Sequence, residues 1–163
     1  MNVIILNGPM GVGKTTVGIY IAEKIPGTAF IDGDWCMDLH PFIGNDETKE
    51  MAVDNILHMI KNYHNCSCCN MVILAWVIDD DWVYEKLIDG IEEIGAEVKR
   101  FTLVCDEEQL RKQWIEDKSC PWRTEDWLRI SINSLGYFSK LKNVLNTSGL
   151  SIDKVADIIM DVV

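Results

Sequence analysis

One glycine-rich stretch near the start of the chain constrains its fold more than any other. Gly8, Gly13, Lys14 and Thr15 have the spacing of a phosphate-binding loop: Gly, four residues, then Gly-Lys-Ser or Gly-Lys-Thr. The apolar run 3–6 before the loop predicts a strand, and the segment after it predicts a helix with one apolar side. In such a link, backbone N–H groups and the positive end of the helix point at phosphate oxygens. The residues predicted to bind a nucleotide are Gly8, Pro9, Met10, Gly11, Val12, Gly13, Lys14, Thr15 and Thr16.

Two side chains of this stretch are expected to act on the nucleotide directly. Lys14 is placed to reach the outer phosphates, and the Thr15 hydroxyl is placed to bind Mg²⁺. The alternative is a glycine-rich turn between a strand and a helix that binds nothing. Because such a turn has no need of the Lys-Thr pair, nucleotide binding is the working hypothesis.

The charge balance narrows the set of partners. The 163 residues include 15 Lys and Arg and 26 Asp and Glu, which gives a formal net charge of −11. This balance argues against general affinity for the nucleic acid backbone, so an anionic substrate must meet a local positive site. The chain shows no basic-then-apolar leader and no apolar run near the roughly 20 residues that span a bilayer. We expect a cytoplasmic protein with no nucleic acid or membrane partner, and we expect its six cysteines to be free thiols.

The rest of the chain alternates strand-like and helix-like segments. Five predicted strands are separated by helices, and each connection is long enough for a right-handed crossover between parallel strands. The most apolar run, 71–78, is too continuous for a strand that faces water and predicts a central strand. The sequence therefore predicts an α/β fold with three layers, in which a five-stranded, mostly parallel sheet carries helices on both faces.

Two aspartates follow the predicted second strand, 28–31. Ligands of open α/β sheets bind beyond the carboxyl ends of the strands, which places Asp32 and Asp34 beside the phosphate-binding loop. Two residues apart at a strand end, their side chains share a face, and Gly33 leaves the backbone free to turn towards the cleft. The alternative is that both aspartates only cap the following turn.

Three features together are similar to those of a known group: the phosphate-binding loop, the Asp-Gly-Asp sequence, and a polar break at 117–123 that carries an arginine. The chain resembles the small P-loop kinases of the nucleoside monophosphate, shikimate and gluconate kinase superfamily. That superfamily also contains chloramphenicol phosphotransferase and a tunicamycin-resistance ATPase. The resemblance covers nearly the whole chain in the order of its elements. It implies a P-loop NTPase fold in a single domain, residues 1–163, with a short lid at about 116–124.

The resemblance also implies roles for individual residues. Lys14 matches the lysine that bridges the outer phosphates, and Thr15 matches the Mg²⁺ ligand. Asp32 matches the aspartate that acts on hydrated Mg²⁺, and Asp34 matches the one that acts on the substrate hydroxyl. Arg123 lies in the lid, where an arginine of these enzymes stabilises charge on the transferring phosphoryl group. The implied cofactors are ATP and Mg²⁺.

Residues near the lid leave alternatives open. Arg111 and Arg129 are alternative candidates for the lid arginine. Arg123 itself is equally explained as a solvated arginine at a helix start. Three tryptophans are candidates to cover a bound base, although aromatic residues at such spacing more often pack in a core or a lid. These are Trp114, Trp122 and Trp127.

The acceptor side departs from the well-studied members of this group. No arginine precedes Arg100, so the usual guanidinium contacts to a phosphate or carboxylate of the substrate are missing. A neutral hydroxyl compound or a nucleoside therefore fits better than an anionic substrate. His40 on its own is equally explained as a structural hydrogen-bonding residue. The candidates to line the acceptor pocket are Asp34, Trp35, His40, Phe42, Trp76 and Asp79.

A cysteine-rich segment requires separate consideration. Thiolates and imidazole are good zinc ligands, and His64, Cys66, Cys68 and Cys69 lie close together in the sequence. Adjacent cysteines point in different directions, however, and no second cluster completes a tetrahedral site. We interpret the segment as a loop between a helix and a strand.

Two functions compete at this point. The leading hypothesis is an ATP-dependent kinase that phosphorylates a small hydroxylated molecule such as a nucleoside, a sugar acid or an antibiotic. The alternative is a P-loop ATPase or nucleotide-dependent switch without a small-molecule acceptor. Against the alternative, no water-orienting glutamine follows the run 71–78, and the chain has no Asn-Lys-x-Asp motif.

Overall fold

The computed structural model of the chain describes residues 1–118, 120 and 123–162. Strands and helices alternate through these residues, as the sequence predicts. The strands are β1 Asn2–Asn7, β2 Thr28–Asp32, β3 Met71–Ala75, β4 Glu97–Val104 and β5 Val144–Asn146. The helices are α1 Lys14–Lys24, α2 Asp46–His64, α3 Asp81–Glu93, α4 Glu107–Glu116, α5 Glu125–Phe138 and α6 Ile152–Met160. A short 3₁₀ helix, Asp34–Met37, follows β2.

The five strands form one parallel sheet in the order β2-β3-β1-β4-β5. Alternate residues of β1 point to opposite faces of the sheet, so Ile4 and Leu6 enter one apolar core and Val3 and Ile5 enter the other. Helices α1 and α6 cover the first face, and α2 and α3 cover the second. The predicted α/β fold with three layers is confirmed, and every strand pair in it is parallel.

The run 71–78 forms an interior strand that is buried on both faces, as predicted, but the strand is shorter than expected. Its pairing with β1 ends at Ala75, and β1 itself occupies the middle of the sheet. Residues 76–78 remain largely buried, because Trp76 and Ile78 pack into the core after the chain has left the sheet. Their apolar character therefore reflects burial in a loop, which a pattern of apolar residues does not distinguish from burial in a strand.

The segment between β2 and α2 ends in a well-formed helix start. The Asn45 side chain accepts a hydrogen bond from the Thr48 N–H, and the Thr48 hydroxyl accepts one from the Asn45 N–H. This capping box starts α2 at Asp46. Part of the predicted lid, about 116–124, together with Trp122, lies outside the described residues.

Candidate active site

The phosphate-binding loop lies between β1 and α1, at the carboxyl edge of the sheet. Gly8 has φ of +137°, and a Cβ atom built on it would lie 2.2 Å from the Leu103 carbonyl oxygen of β4. No side chain fits there, so glycine is required on both conformational and steric grounds. Gly13, with φ of +101°, starts α1 and turns the last N–H groups of the loop towards its concave side. This geometry is suited to phosphate binding.

Lys14 is buried beneath the loop. Its ammonium group donates hydrogen bonds to the carbonyl oxygens of Gly8 and Pro9, each at 2.9 Å. Burial lowers the pKa of Lys14 from 10.5 to about 8, with a smaller lowering from Arg123, while Asp34 and Asp32 oppose the shift. A desolvated ammonium group that binds carbonyl oxygens can exchange them for phosphate oxygens.

Thr15 and Asp32 bring two oxygen ligands together. The Thr15 hydroxyl donates to the Asp32 carboxylate at 3.2 Å, and both residues are open to solvent at the mouth of the loop. Hydroxyl and carboxylate oxygens are ligands that Mg²⁺ prefers, and in P-loop enzymes the nucleotide phosphates and water supply the others. The pair therefore fits a Mg²⁺ ion that arrives with a nucleotide.

Asp34 lies on the other side of Gly33 and is held differently. Its N–H donates to the Asp32 carboxylate at 3.1 Å, which closes a tight turn after β2. Asp34 is exposed as a residue, but its carboxyl group is crowded by protein atoms. This desolvation, followed by the nearby Asp32 charge, raises the pKa of Asp34, against the opposing effects of Lys14, Trp76 and Arg123. A carboxylate with a raised pKa is better suited to accept a proton.

Arg123 is the arginine that the structure places beside this cluster. Its guanidinium pairs with Asp117 at 2.6 Å, lies 5.2 Å from the ring centre of Trp114, and is close enough to lower the pKa of Lys14. Arg111 instead pairs with Glu107 on its own helix at 2.8 Å, and Arg129 likewise pairs with Asp126 on its own helix. The described contacts therefore separate three arginines that the sequence leaves equivalent.

Two helices that follow β4 hold the loop from outside. Trp114 of α4 packs directly on Gly11, where a Cβ atom would lie 2.8 Å from the indole ring. The buried Ser131 hydroxyl of α5 donates to the Met10 carbonyl oxygen at 2.6 Å. Trp114 thus packs against the loop on one side and stacks with Arg123, which agrees with the packing alternative for this tryptophan. Ser131 was not among the predicted site residues.

The candidate acceptor residues are divided between the interior and the surface. Trp76 is 5% exposed and packs so closely on Gly33 that a Cβ atom there would lie 2.2 Å from the ring. Trp35 is 83% exposed, and Phe42 is 63% exposed. His40 is also exposed and lies 3.3 Å from Asp38. The structure thus brings Trp76 to Asp34 and leaves the other aromatic residues at the rim.

Asp79 belongs to a third group at the same edge of the sheet. Lys49 from α2 pairs with Asp80 and lies 3.8 Å from Asp79, while the Tyr137 hydroxyl from α5 donates to the Asp79 carbonyl oxygen at 3.1 Å. Lys49 and Tyr137 were not predicted, because their partners are distant in the sequence. Their contacts join two helices to the loop after β3.

A cleft of about 660 Å³ opens beside the predicted Mg²⁺ ligands and runs along the free edge of β2. Its walls include Thr15, Asp32 and Trp35 at one end and His58 and Met59 of α2 at the other. A second cleft, of about 560 Å³, lies by the first half of β4 and touches none of the site residues. Trp35 therefore faces the Mg²⁺ side of the site, whereas Trp76 faces Asp34.

Other classes of site find no support in the described part of the chain. Within it, no group of three or more His, Cys, Asp and Glu side chains is arranged to hold a metal ion, and this includes the segment with His64, Cys66, Cys68 and Cys69. Over the same residues, no helix is both long enough and apolar enough to cross a bilayer.

Solved structures with the same architecture are numerous. The tunicamycin resistance protein of Deinococcus radiodurans superposes with a TM-score of 0.72 at 19% identity, over 99% of this chain and 94% of that one. A gluconokinase of Sinorhizobium meliloti 1021 gives 0.70 at 15% identity, over 96% and 87%. The shikimate kinase of Bacteroides thetaiotaomicron gives 0.64 at 18% identity, over 98% and 97%. No protein-family model and no curated protein sequence matches the chain. The chain thus has the fold of the small P-loop kinases.

Proposed function

We propose that this protein is an ATP-dependent kinase that transfers a phosphoryl group to a hydroxyl of a small, neutral molecule. The observation that carries the proposal is the convergence of Lys14, Asp34 and Arg123 on the phosphate-binding loop, beside the Thr15–Asp32 pair. Structures of similar fold include proteins named gluconokinase and shikimate kinase. We extend the proposal to one P-loop kinase-like domain over residues 1–163, with a lid at about 116–124, that works in the cytoplasm.

On the donor side, the loop binds the ATP phosphates through N–H groups and Lys14. Lys14 turns from the Gly8 and Pro9 carbonyl oxygens to the outer phosphates. Arg123 adds positive charge where negative charge develops on the transferring phosphoryl group. Thr15 and Asp32 would hold Mg²⁺, and the bound ion would supply positive charge against the phosphates and help to orient them. These groups supply most of what phosphoryl transfer requires, because the reaction needs positioning and charge stabilisation more than covalent help.

On the acceptor side, Asp34 orients the attacking hydroxyl. The hydroxyl oxygen forms a bond to the γ-phosphorus as the bond to the ADP oxygen breaks, and the hydroxyl proton passes to the Asp34 carboxylate. The raised pKa of Asp34 favours this transfer, and Trp76 fixes the carboxylate by packing on Gly33. Candidate walls for the acceptor are Trp35, His40, Phe42, Trp76 and Asp79.

A neutral acceptor follows from the placement of the cations. Arg111 and Arg129 are bound to acidic residues of their own helices, and Arg100 stacks on Tyr84 of α3. Lys49 faces the acceptor side but is held by Asp80 and Asp79. A phosphate or carboxylate on the acceptor would therefore compete with existing partners and add to the negative charge of Asp34 and Asp79.

The test is the rate of ADP formation with single acceptors. We expect a neutral nucleoside, sugar, aminoglycoside or amphenicol to stimulate ADP formation and to be recovered as its phosphate ester, while sugar acids stimulate less. Asp34→Asn is expected to reduce the stimulated rate by about 10²–10⁴-fold, the usual contribution of a positioned base. Asp89→Asn, which changes an exposed carboxylate on α3, serves as the matched control and should retain the rate.

The same assay separates this function from its alternative. An ATPase or switch would hydrolyse ATP at one rate with every acceptor, and Asp34→Asn would leave that rate unchanged. Either result would overturn the kinase assignment, whereas loss of ATP binding in Lys14→Ala is expected for both functions and distinguishes neither.

A further inference from the structure

Asn7, the last residue of β1, is fully buried and makes three hydrogen bonds through its side chain. Its amide nitrogen donates to the Ile78 carbonyl oxygen at 2.9 Å, and its amide oxygen accepts from the Ile78 N–H at 2.8 Å. The same oxygen accepts from the Gly8 N–H at 2.7 Å. One side chain therefore joins the first residue of the phosphate-binding loop to a segment more than seventy residues away in sequence.

Only an amide of this length can make all three bonds. An aspartate would keep the two accepted bonds but has no N–H for the Ile78 carbonyl oxygen. A leucine of similar size would leave three buried backbone groups without partners, and such groups are strongly unfavourable. The β1–β3 pairing ends with the Trp76 N–H donating to the Leu6 carbonyl oxygen at 3.1 Å, so Asn7 continues the connection beyond the end of the sheet.

The two segments that Asn7 joins lead to opposite sides of the site. On one side, the Gly8 peptide carries the carbonyl oxygen that binds Lys14 at 2.9 Å. On the other side, Ile78 anchors the segment whose first residue is Trp76, and the Trp76 indole packs on Gly33 and lies close enough to Asp34 to lower the pKa of its carboxyl group. Hydrogen bonds through Asn7 and packing through Trp76 thus connect Lys14 to the turn that carries Asp34.

We propose that Asn7 is a positioning residue that couples the phosphate-binding loop to Trp76 and Asp34. This inference rests on the proposed function in one respect, namely that the loop binds a nucleotide. When Lys14 leaves the Gly8 carbonyl oxygen for a phosphate, the Gly8 peptide is released, and Asn7 transmits the change to Ile78 and Trp76. Nucleotide binding to the loop thereby changes the position of Trp76, which lines the acceptor side where Asp34 orients the acceptor hydroxyl.

The experiment uses ¹⁹F NMR of the full chain labelled with 5-fluorotryptophan, with MgADP as the probe. Trp76→Phe and Trp114→Phe assign the two resonances of interest. Trp114 packs on Gly11 and reports that the loop is occupied, whereas Trp76 reports the coupling. Calorimetry on the same samples measures MgADP affinity. In the unaltered protein, MgADP is expected to shift both resonances.

In Asn7→Leu, we expect MgADP to bind about tenfold more weakly, because the Gly8 N–H loses its buried hydrogen-bond partner, and at saturation to shift Trp114 but not Trp76. Asn7→Asp keeps two of the three bonds, should give an intermediate Trp76 shift, and serves if the leucine variant does not fold. Ile60→Val, a buried change at the far end of α2, controls for lost stability and should retain the full Trp76 response.

Three outcomes would count against the inference. A full Trp76 shift in Asn7→Leu, or a silent Trp76 in the unaltered protein at saturating MgADP, overturns the coupling and leaves the kinase proposal intact. Absence of MgADP binding to the unaltered protein overturns both proposals, and calorimetry reveals it before any variant is compared.

Discussion

At the residue scale, the site depends on ionisable groups whose protonation the fold has altered. Lys14 is charged yet removed from water, and the pKa of its ammonium falls to about 8 because burial outweighs the two aspartates that face it. Asp34 shows the opposite response of a carboxyl group, with its pKa raised by burial and by Asp32. Both shifts disfavour the charged form in the free protein, and bound phosphates would raise the pKa of Lys14 again.

MgADP affinity is therefore expected to depend on pH through Lys14. Below a pH of about 8, Lys14 of the free protein already carries its proton, so MgADP affinity is constant. Above that pH, MgADP affinity falls by up to about tenfold per pH unit, because Lys14 loses its proton. At pH 8.5, calorimetry in buffers of different ionisation enthalpy should detect proton uptake on binding. Lys14→Met provides the control, with weak binding and no proton uptake.

The same pKa shift predicts the sign of a stability change. Between a pH of about 8 and 10.5, Lys14 is protonated in a larger fraction of unfolded chains than of folded chains. Lys14 therefore makes the free energy of unfolding rise with pH in this range. The rise should be absent in Lys14→Met.

Equal MgADP affinity of the unaltered protein at pH 7 and pH 10 would contradict the assignment of Lys14 to the phosphates.

At the element scale, α4 and α5 determine which arginine lies beside the loop. Trp114 of α4 packs on the loop and stacks with Arg123, and Ser131 of α5 binds the loop carbonyl of Met10. Because these helices pack against the loop on either side of the connection that carries Arg123, that guanidinium stacks on Trp114 and is close enough to lower the pKa of Lys14. Helical spacing alone does not reveal this arrangement, since Arg111 and Arg129 belong to the same two helices.

Replacement of the three arginines by methionine tests this assignment. Arg123→Met is expected to slow phosphoryl transfer by about 10²–10³-fold, the loss typical of one preorganised donor to a transition-state charge. Arg111→Met and Arg129→Met change surface pairs within single helices and should stay within about threefold of the unaltered rate, since such pairs contribute ~0–1 kcal/mol. The measurement is the single-turnover rate with an acceptor that stimulates ADP formation in the assay proposed above. A larger loss in either control variant would move the lid role to that arginine.

At the scale of the whole molecule, an acidic chain concentrates its buried positive charge at one edge of a parallel sheet. The formal charge is −11, and the buried Lys14 with Arg123 nearby forms a local positive site of the kind that the proposed binding of an anionic nucleotide requires. All five strands end at that edge because all are parallel, so loops distant in sequence meet there.

Nucleotide binding is accordingly expected to stabilise the whole fold. MgADP at a hundred times its Kd should add about 2.7 kcal/mol to the free energy of unfolding and raise Tm by roughly 5–10 °C for a chain of this size. Differential scanning calorimetry with MgADP, and with ADP and a chelator, measures the share due to Mg²⁺. Asp32→Asn is expected to remove most of the difference between the two conditions. An equal Tm with and without Mg²⁺ in the unaltered protein would argue against Asp32 and Thr15 as its ligands.

Local sequence by itself determined the phosphate-binding loop, the α/β layers and the position of Asp32 and Asp34, because each depends on spacing or on periodic burial within a short segment. Only the tertiary structure decided that Arg123 lies by Lys14, that Trp76 is buried while Trp35 is exposed, and that Asn7 joins the loop to Ile78. The sequence shows an asparagine at the end of an apolar run, but it shows neither the burial of Asn7 nor its partner Ile78. The physical reason is that these contacts join residues far apart in the chain, and their geometry exists only once the sheet has brought β1, β2 and β3 together.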